Sequence, residues 1–306
     1  MKQKSTQNKI IKMKQFFSLT LFSLLSFSAF CQETKSSESQ EQTELKHYMP
    51  LYLDIPAEMN VKKGFKEANI GFGYADFKGF KGQRVLVEYD FAPIDKLGFE
   101  IELPFIFVQE KNNISTDEVL DVEEIDESVE SGHAGEEGGG AESGNAIRIG
   151  FHYALYSSAK AKTSIGVGYF NELEFTPFKN FGDPLFEANI YNPFIAIAKI
   201  FGERFHTMIY TGTATKQHFE NNTTETSIRF NTILSYRFGK ANKDSFFAIE
   251  SNQNWANSQN GQMILRPQAQ IQLNEQWKIG LVAAIPIATA NDLNGSGFMR
   301  LIYSPK

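Results

Sequence analysis

Cysteine is almost absent: Cys31 is the only one in 306 residues, so the chain can form no internal disulfide. Beyond the N-terminus there is no run of about 18 apolar residues, which excludes membrane-spanning helices. The five histidines, His47, His133, His152, His206 and His218, include no pair at the His-x-x-x-His spacing of a metal site. Gly-x-Ser-x-Gly is missing too, and no histidine lies next to a serine in a way that would activate it. These gaps argue against an enzyme and supply no cofactor motif. Basic clusters that would suit nucleic acid are also lacking. Tryptophan is scarce, with 2 residues against 28 Phe and 11 Tyr, a balance that suits strands.

The residues present alternate. From Gln83 to Phe107 the chain reads QRVLVEYDFAPIDKLGFEIELPFIF. Val85, Val87, Tyr89 and Phe91 share one side of an extended chain, with Arg84, Glu88 and Asp90 on the other. After the turn 92–96, Leu97, Phe99, Ile101, Leu103, Phe105 and Phe107 oppose Gly98, Glu100 and Glu102. Side chains alternate across a strand, so this is a hairpin with one oily and one charged face.

Similar segments recur near 67–77, 83–91, 97–108, 146–156, 162–175, 190–201, 204–215, 226–238, 245–253, 262–273, 276–287 and 297–303. Twelve is an even number, and the lengths suit tilted strands that cross a bilayer. The mean hydropathy of −0.32 is no obstacle, because only alternate residues of such strands meet lipid. Connections alternate between short (92–96, 157–161, 202–203, 239–244, 274–275) and long (109–145, 176–189, 216–225, 254–261, 288–296), with 78–82 the exception. The expectation is a single antiparallel transmembrane β-barrel over 67–306 in a bacterial outer membrane, short turns periplasmic and long loops outside. Phe91, Phe99, Tyr156, Phe201, Phe205, Phe238, Phe246, Trp277 and Tyr303 would girdle the periplasmic edge. Pro104, Pro193, Pro267 and Pro286 sit inside strands, where they cannot donate to a ladder; a bulge is expected at Pro267.

Residues 1–31 read as a signal peptide: five lysines, the apolar run 16–30, then Ala29-Phe30-Cys31 before Gln32. Cleavage after Cys31 is expected, with lipidation of Cys31 as the alternative. Residues 32–47 are a polar linker. Residues 48–66 form a periplasmic segment before the barrel, packed either beneath it or inside its mouth. The insert 109–145 holds twelve acidic side chains and one basic, Lys111. It reads as a solvated extracellular loop able to hold cations weakly.

Several stretches carry a likeness: His47-Tyr48-Met49-Pro50-Leu51-Tyr52-Leu53-Asp54, LVEYDFAPIDKLGFEIELPF (86–105) and FKNFGDPLFEANIYNPFIAIAK (178–199). Phe205-His206-Thr207, Leu265-Arg266-Pro267 and Arg300-Leu301-Ile302-Tyr303 add to it. Together they resemble the HAEPLYID family of Bacteroidota-type bacteria, over roughly 47–306. The motif departs at Tyr48-Met49, where the family has Ala-Glu, and at Leu53, where it has Ile. The resemblance implies a transporter-like outer-membrane barrel and supplies no substrate.

Strand parity then gives the candidate lumen. Arg84, Glu88, Asp90, Glu100, Glu102, Arg148, Arg229, Arg237, Arg266 and Lys278 should point inward. So should His152, Glu250, Gln268, Gln270, Gln272 and Arg300. The acids gather on strands two and three and most bases lie beyond them. Acid wall facing base wall across water would make a channel that passes small polar solutes by charge. The same residues meeting as ion pairs would close the barrel and leave it a structural or surface-binding role. The partners expected are the outer-membrane bilayer, small polar solutes and weakly held cations, with no nucleic acid.

Overall fold

The computed structural model describes residues 45, 47, 51, 59–78, 80–110, 145–176, 184–239, 245–256, 261–288 and 293–305. The stretch expected to be a signal peptide (1–31), nearly all of the stretch expected to be a linker and residues 111–144 of the acidic insert 109–145 lie outside the described residues. Twelve strands follow in order: β1 (Lys66–Phe77), β2 (Phe80–Ile94), β3 (Leu97–Glu110), β4 (Ala146–Ser158), β5 (Thr163–Phe175) and β6 (Phe186–Phe201). Then come β7 (Phe205–His218), β8 (Thr224–Arg237), β9 (Phe246–Ala256), β10 (Gln262–Gln272), β11 (Trp277–Ala288) and β12 (Leu293–Tyr303). Each pairs antiparallel with its sequence neighbours, and β12 returns to β1, closing the barrel. Closure leaves no sheet edge to lipid, which a strand-built membrane protein requires. Tyr303 sits at the seam, opposite Ala68 on β1 and Trp277 on β11.

Burial alternates along the strands as the residue pattern does. Phe72, Tyr89, Ile101, Phe151, Ile195, Leu234, Ile249 and Leu281 are exposed on the outside. An outward ring of aromatics runs Tyr89, Phe91, Phe99, Phe151, Tyr169, with neighbouring centroids 5.4–6.2 Å apart. Phe205–Tyr236, Phe238–Phe247 and Trp277–Tyr303 continue it at 5.1, 4.5 and 4.7 Å. Phe246 does not belong to this girdle: its side chain is inward and fully buried in the core. One step of parity separates it from Phe247, which takes the outer place.

Two other expectations change. The connections expected to be long shrink to 219–223, 257–261 and 289–292, because polar residues go on pairing past the apolar band. Lys216 opposite Glu225 and Gln217 opposite Thr224 are such rungs. Pro267 needs no bulge, whereas Pro286 lies beside a register shift opposite Met263 and Ile264. Pro267 pairs with Ile249 on β9, while on the β11 side the ladder lapses between Leu265–Ile285 and Gln268–Val282 without a register shift. Pro193 likewise pairs with Tyr169 and lapses against β7. A residue in an inner strand faces a partner on both sides, so each proline spends its missing N–H on the side where pairing stops.

Of the described residues before β1, His47, Leu51 and Met59 pack against inward wall residues. Leu51 and Met59 are buried in the same core cluster as Phe170, Phe194, Tyr210 and Phe246. Val61 closes over Ala92 at the β2–β3 turn, held by Lys96 N to Val61 O (2.7 Å) and Gly64 N to Ala92 O (2.9 Å). Leu45 and His47, at the end of the stretch read as linker, are also buried.

Candidate functional site: the barrel lumen

Inward strand positions carry an unusual load of polar groups. Of the ten residues expected from parity, Glu88, Asp90, Glu100, Glu102, Arg148 and Arg266 are buried, and these divide into two patches. The first spans β12, β1, β2, β3 and β4. Glu88 stands opposite Glu102, and Asp90 opposite Glu100, on adjacent strands. Arg148, opposite Glu102 on β4, donates from Nη2 to Glu100 Oε1 at 3.1 Å and also to Glu102. Its guanidinium lies 4.8 Å from the centre of the Phe170 ring. From the other flank Arg300 Nη2 meets Glu88 Oε2 at 3.0 Å. Asn69 on β1 donates to Glu88 and, at 3.4 Å, to Asp90 Oδ2. The bases that meet these acids therefore come from flanking strands and not from the far wall. Like-charged neighbours across a ladder repel; Arg148 offsets that from the adjacent strand, and Arg300 from two strands away, across β1.

The second patch is built on β9 and β10. Glu250 Oε1 accepts from Asn252 Nδ2 at 2.6 Å and its Oε2 from Gln268 Nε2 at 2.8 Å. Arg266 donates to Asn252 Oδ1. Gln268 turns its other end inward, where Oε1 accepts the Leu51 backbone N–H at 2.6 Å. A chain of hydrogen bonds thus runs from the inserted segment to Arg266. Arg229 reaches Asn192: with the amide turned so that Nδ2 meets the Thr213 carbonyl, Oδ1 accepts from Nη1 at 3.0 Å.

Three of the ten stand apart from these patches. Lys278 bonds Glu67 Oε2 at 2.9 Å near the short-turn end. Arg237 ends β8, half-buried. Arg84 lines a cavity with Leu86, Pro104, Ile106, Phe298 and Arg300.

The belt is dry. Glu102, Glu250 and Arg266 are each 0 % exposed. Each is covered by its partners in the wall, so neither patch presents these groups to open water. The inserted segment packs beside them, and the wall is shaped for it. A Cβ on Gly280 would fall 2.6 Å from Leu51, and one on Gly166 would fall 3.0 Å from Met59. Glycine inside a strand marks such a close approach. His47 Nε2 lies 2.9 Å from Ser164 Oγ on β5. Burial pushes the His47 imidazole down to about 4.

Sequence reasoning missed Asn69, Asn192, Asn252 and the bridge of Lys216 to Glu174 at 2.9 Å. The signal was there for Asn69, which shares inward parity with Gly71 and Gly73. Nothing in the sequence singled out His47, Leu51 or Met59 as lumen residues.

The fold is that of an outer-membrane β-barrel. It superposes on the COG4313 outer membrane channel from Pseudomonas putida F1 with a TM-score of 0.56 at 12% identity, covering 82% of this chain and 100% of that one. The NanC porin aligns at 0.49 with 9% identity (78% and 99%), and the KdgM porin at 0.45 with 11% (78% and 99%). At such identities the likeness is one of fold. The sequence matches the HAEPLYID-like family over residues 43–135 and 120–304, and the chain belongs to that family. No curated protein matches it.

Proposed function

We propose that this protein is an outer-membrane channel for small polar solutes whose described conformation is its closed state. The observation that carries this reading is how the lumen is filled. A barrel that is merely structural can fill its interior with its own wall. This wall instead carries glycine at Gly166 and Gly280, where Met59 and Leu51 seat. The occupant is an N-terminal segment that reaches the polar wall through contacts such as Leu51 N to Gln268 and His47 to Ser164. An occupant distinct from the wall can leave without unfolding the wall. The ring behind it, Arg148, Glu100, Glu102, Arg266 and Glu250, would then face water and discriminate solutes by charge.

A second reading keeps the barrel permanently closed, with a structural or surface-binding role. The dry ion pairs of the first patch favour it. Single-channel recording in a planar bilayer separates the two. The full chain should show rare, brief openings, and a Leu51→Asp/Met59→Asp variant should conduct steadily. A variant that is folded and still silent overturns the channel reading in favour of the closed one.

A further inference from the structure

The outer wall carries one base that hydrocarbon disfavours. Along β6 the odd positions face outward: Ile195 and Ile197 are exposed, and Lys199 follows them on the same face. The Lys199 side chain reaches toward the end of the strand, where Nζ lies 5.5 Å from the centre of the Phe201 ring and meets no carboxylate among the described residues. A long stem that carries its charge to the headgroup level is how a lipid-facing lysine stays out of hydrocarbon. Two more bases stand at that level. Arg204, in the turn between β6 and β7, donates from Nη1 to the Tyr236 hydroxyl at 3.1 Å. Lys162, in the turn before β5, donates from Nζ to the Gly202 carbonyl at 2.7 Å. Register gathers them into one sector of the rim: Thr163 pairs with Lys199, Phe201 with Phe205, and Phe205 with Tyr236. Glu203, beside Arg204, is the acid of the same turn, so bases outnumber it. Tyr236 accepts from Arg204 and keeps its own O–H to donate. Toward the middle of the wall, Ile197, Ile195 and Leu234 offer exposed apolar surface directly beneath these groups.

We infer that Lys162, Lys199, Arg204 and the Tyr236 hydroxyl bind the phosphate of one anionic phospholipid, whose acyl chains lie along Ile195, Ile197 and Leu234. A phosphate at the rim answers the Lys199 charge where it stands, and charge-assisted hydrogen bonds from the turn hold its oxygens. A headgroup with an ammonium of its own would bring another cation among these bases, so a headgroup without one is preferred. The ligand is a lipid and not a free phosphate ester because the bases sit at the edge of an apolar wall that only acyl chains cover. The site lies on the outer face of the barrel, so it stands whether or not the lumen conducts.

The test is native mass spectrometry of the full chain folded in detergent micelles and titrated with phosphatidylglycerol, or with phosphatidylcholine of the same acyl chains. One phosphatidylglycerol should stay bound per chain, about tenfold or more tighter than phosphatidylcholine. Each base near an anionic headgroup contributes about fivefold, so Lys199→Gln/Arg204→Gln should weaken that binding by about tenfold or more. Lys62→Gln/Lys63→Gln removes the same charge from exposed lysines at the same end of the barrel, beside Asp95, and should leave the bound lipid in place. Glycerol 3-phosphate, which carries the phosphate without the chains, should fail to displace the lipid even in large excess. Equal loss in the two double variants would mean diffuse attraction and overturns the site, as does equal retention of the two lipids. Displacement by glycerol 3-phosphate overturns the lipid as the ligand, since the bases would then be taking free phosphate esters.

Discussion

Arg148 shows what a single inward residue does here. It touches Glu100 and Glu102 from one strand away, and all three are screened from water. Removing one partner of a buried pair leaves charge without compensation, which costs about 3–5 kcal/mol. Arg148→Met should therefore lower the stability of the folded barrel by that amount in urea titrations in detergent. Arg237→Met, half-exposed at the barrel end, should lower it by less than about 1 kcal/mol. Equal effects would mean that the first patch is wet. His47 makes a different prediction. Its seated ring stays neutral down to about pH 4, whereas the same ring in water takes up a proton below about 6.5. The stabilisation of the seat is complete above pH 6.5 and is lost as pH falls from there toward 4, by up to about 1.4 kcal/mol per unit. Ser164 on β5 faces it, and His206 on β7, itself near Arg237 on β8, interacts with it electrostatically. Conductance should rise between pH 7 and 5, and His47→Asn should flatten that rise.

Among the elements, the segment before β1 and the strands it leans on decide whether the lumen is filled. Its grip is local: a backbone hydrogen bond to Gln268, a histidine on a serine, and two apolar side chains over glycines. Gly280→Val places a branched side chain where Leu51 now sits, while valine suits a strand. The wall should fold as before, and openings in single-channel records should become longer. An unchanged record would mean that Leu51 can shift and seat elsewhere. The strands themselves were legible because outward positions alternate with inward ones along each of them, apolar residues filling the outward face even where Phe170, Phe194, Tyr210 and Phe246 turn inward. The segment was not, because His47, Leu51 and Met59 follow no period: they are fixed by niches on β5, β10 and β11, remote in sequence.

For the molecule as a whole, closure and orientation are the testable properties. An unheated sample should migrate faster than a boiled one on a detergent gel, since a closed barrel resists unfolding by detergent alone. Orientation can be read with cysteines on opposite ends. A membrane-impermeant maleimide should label Asn222→Cys in intact cells and reach Lys96→Cys only after the outer membrane is opened. The reverse pattern would put the short-turn end outside. Shorter loops than expected at 219–223, 257–261 and 289–292 make this experiment worth more, because loop length alone distinguishes the two ends less sharply.

The sequence by itself determined the number of strands, their facing and the closed antiparallel order. All three follow from a period of two and from the rule that backbone in lipid must pair. It also placed Glu88, Asp90, Glu100 and Glu102 together, since neighbouring strands in a hairpin share a register. Only the tertiary structure decided who answers those charges. Arg300 reaches Glu88 because the last strand closes on the first, joining residues 212 positions apart, a contact that no local pattern encodes. It also decided that the lumen is filled, because that depends on matching the volume of Leu51 and Met59 to gaps left by two glycines. Periodicity records which face a side chain takes, but not what stands across the space from it.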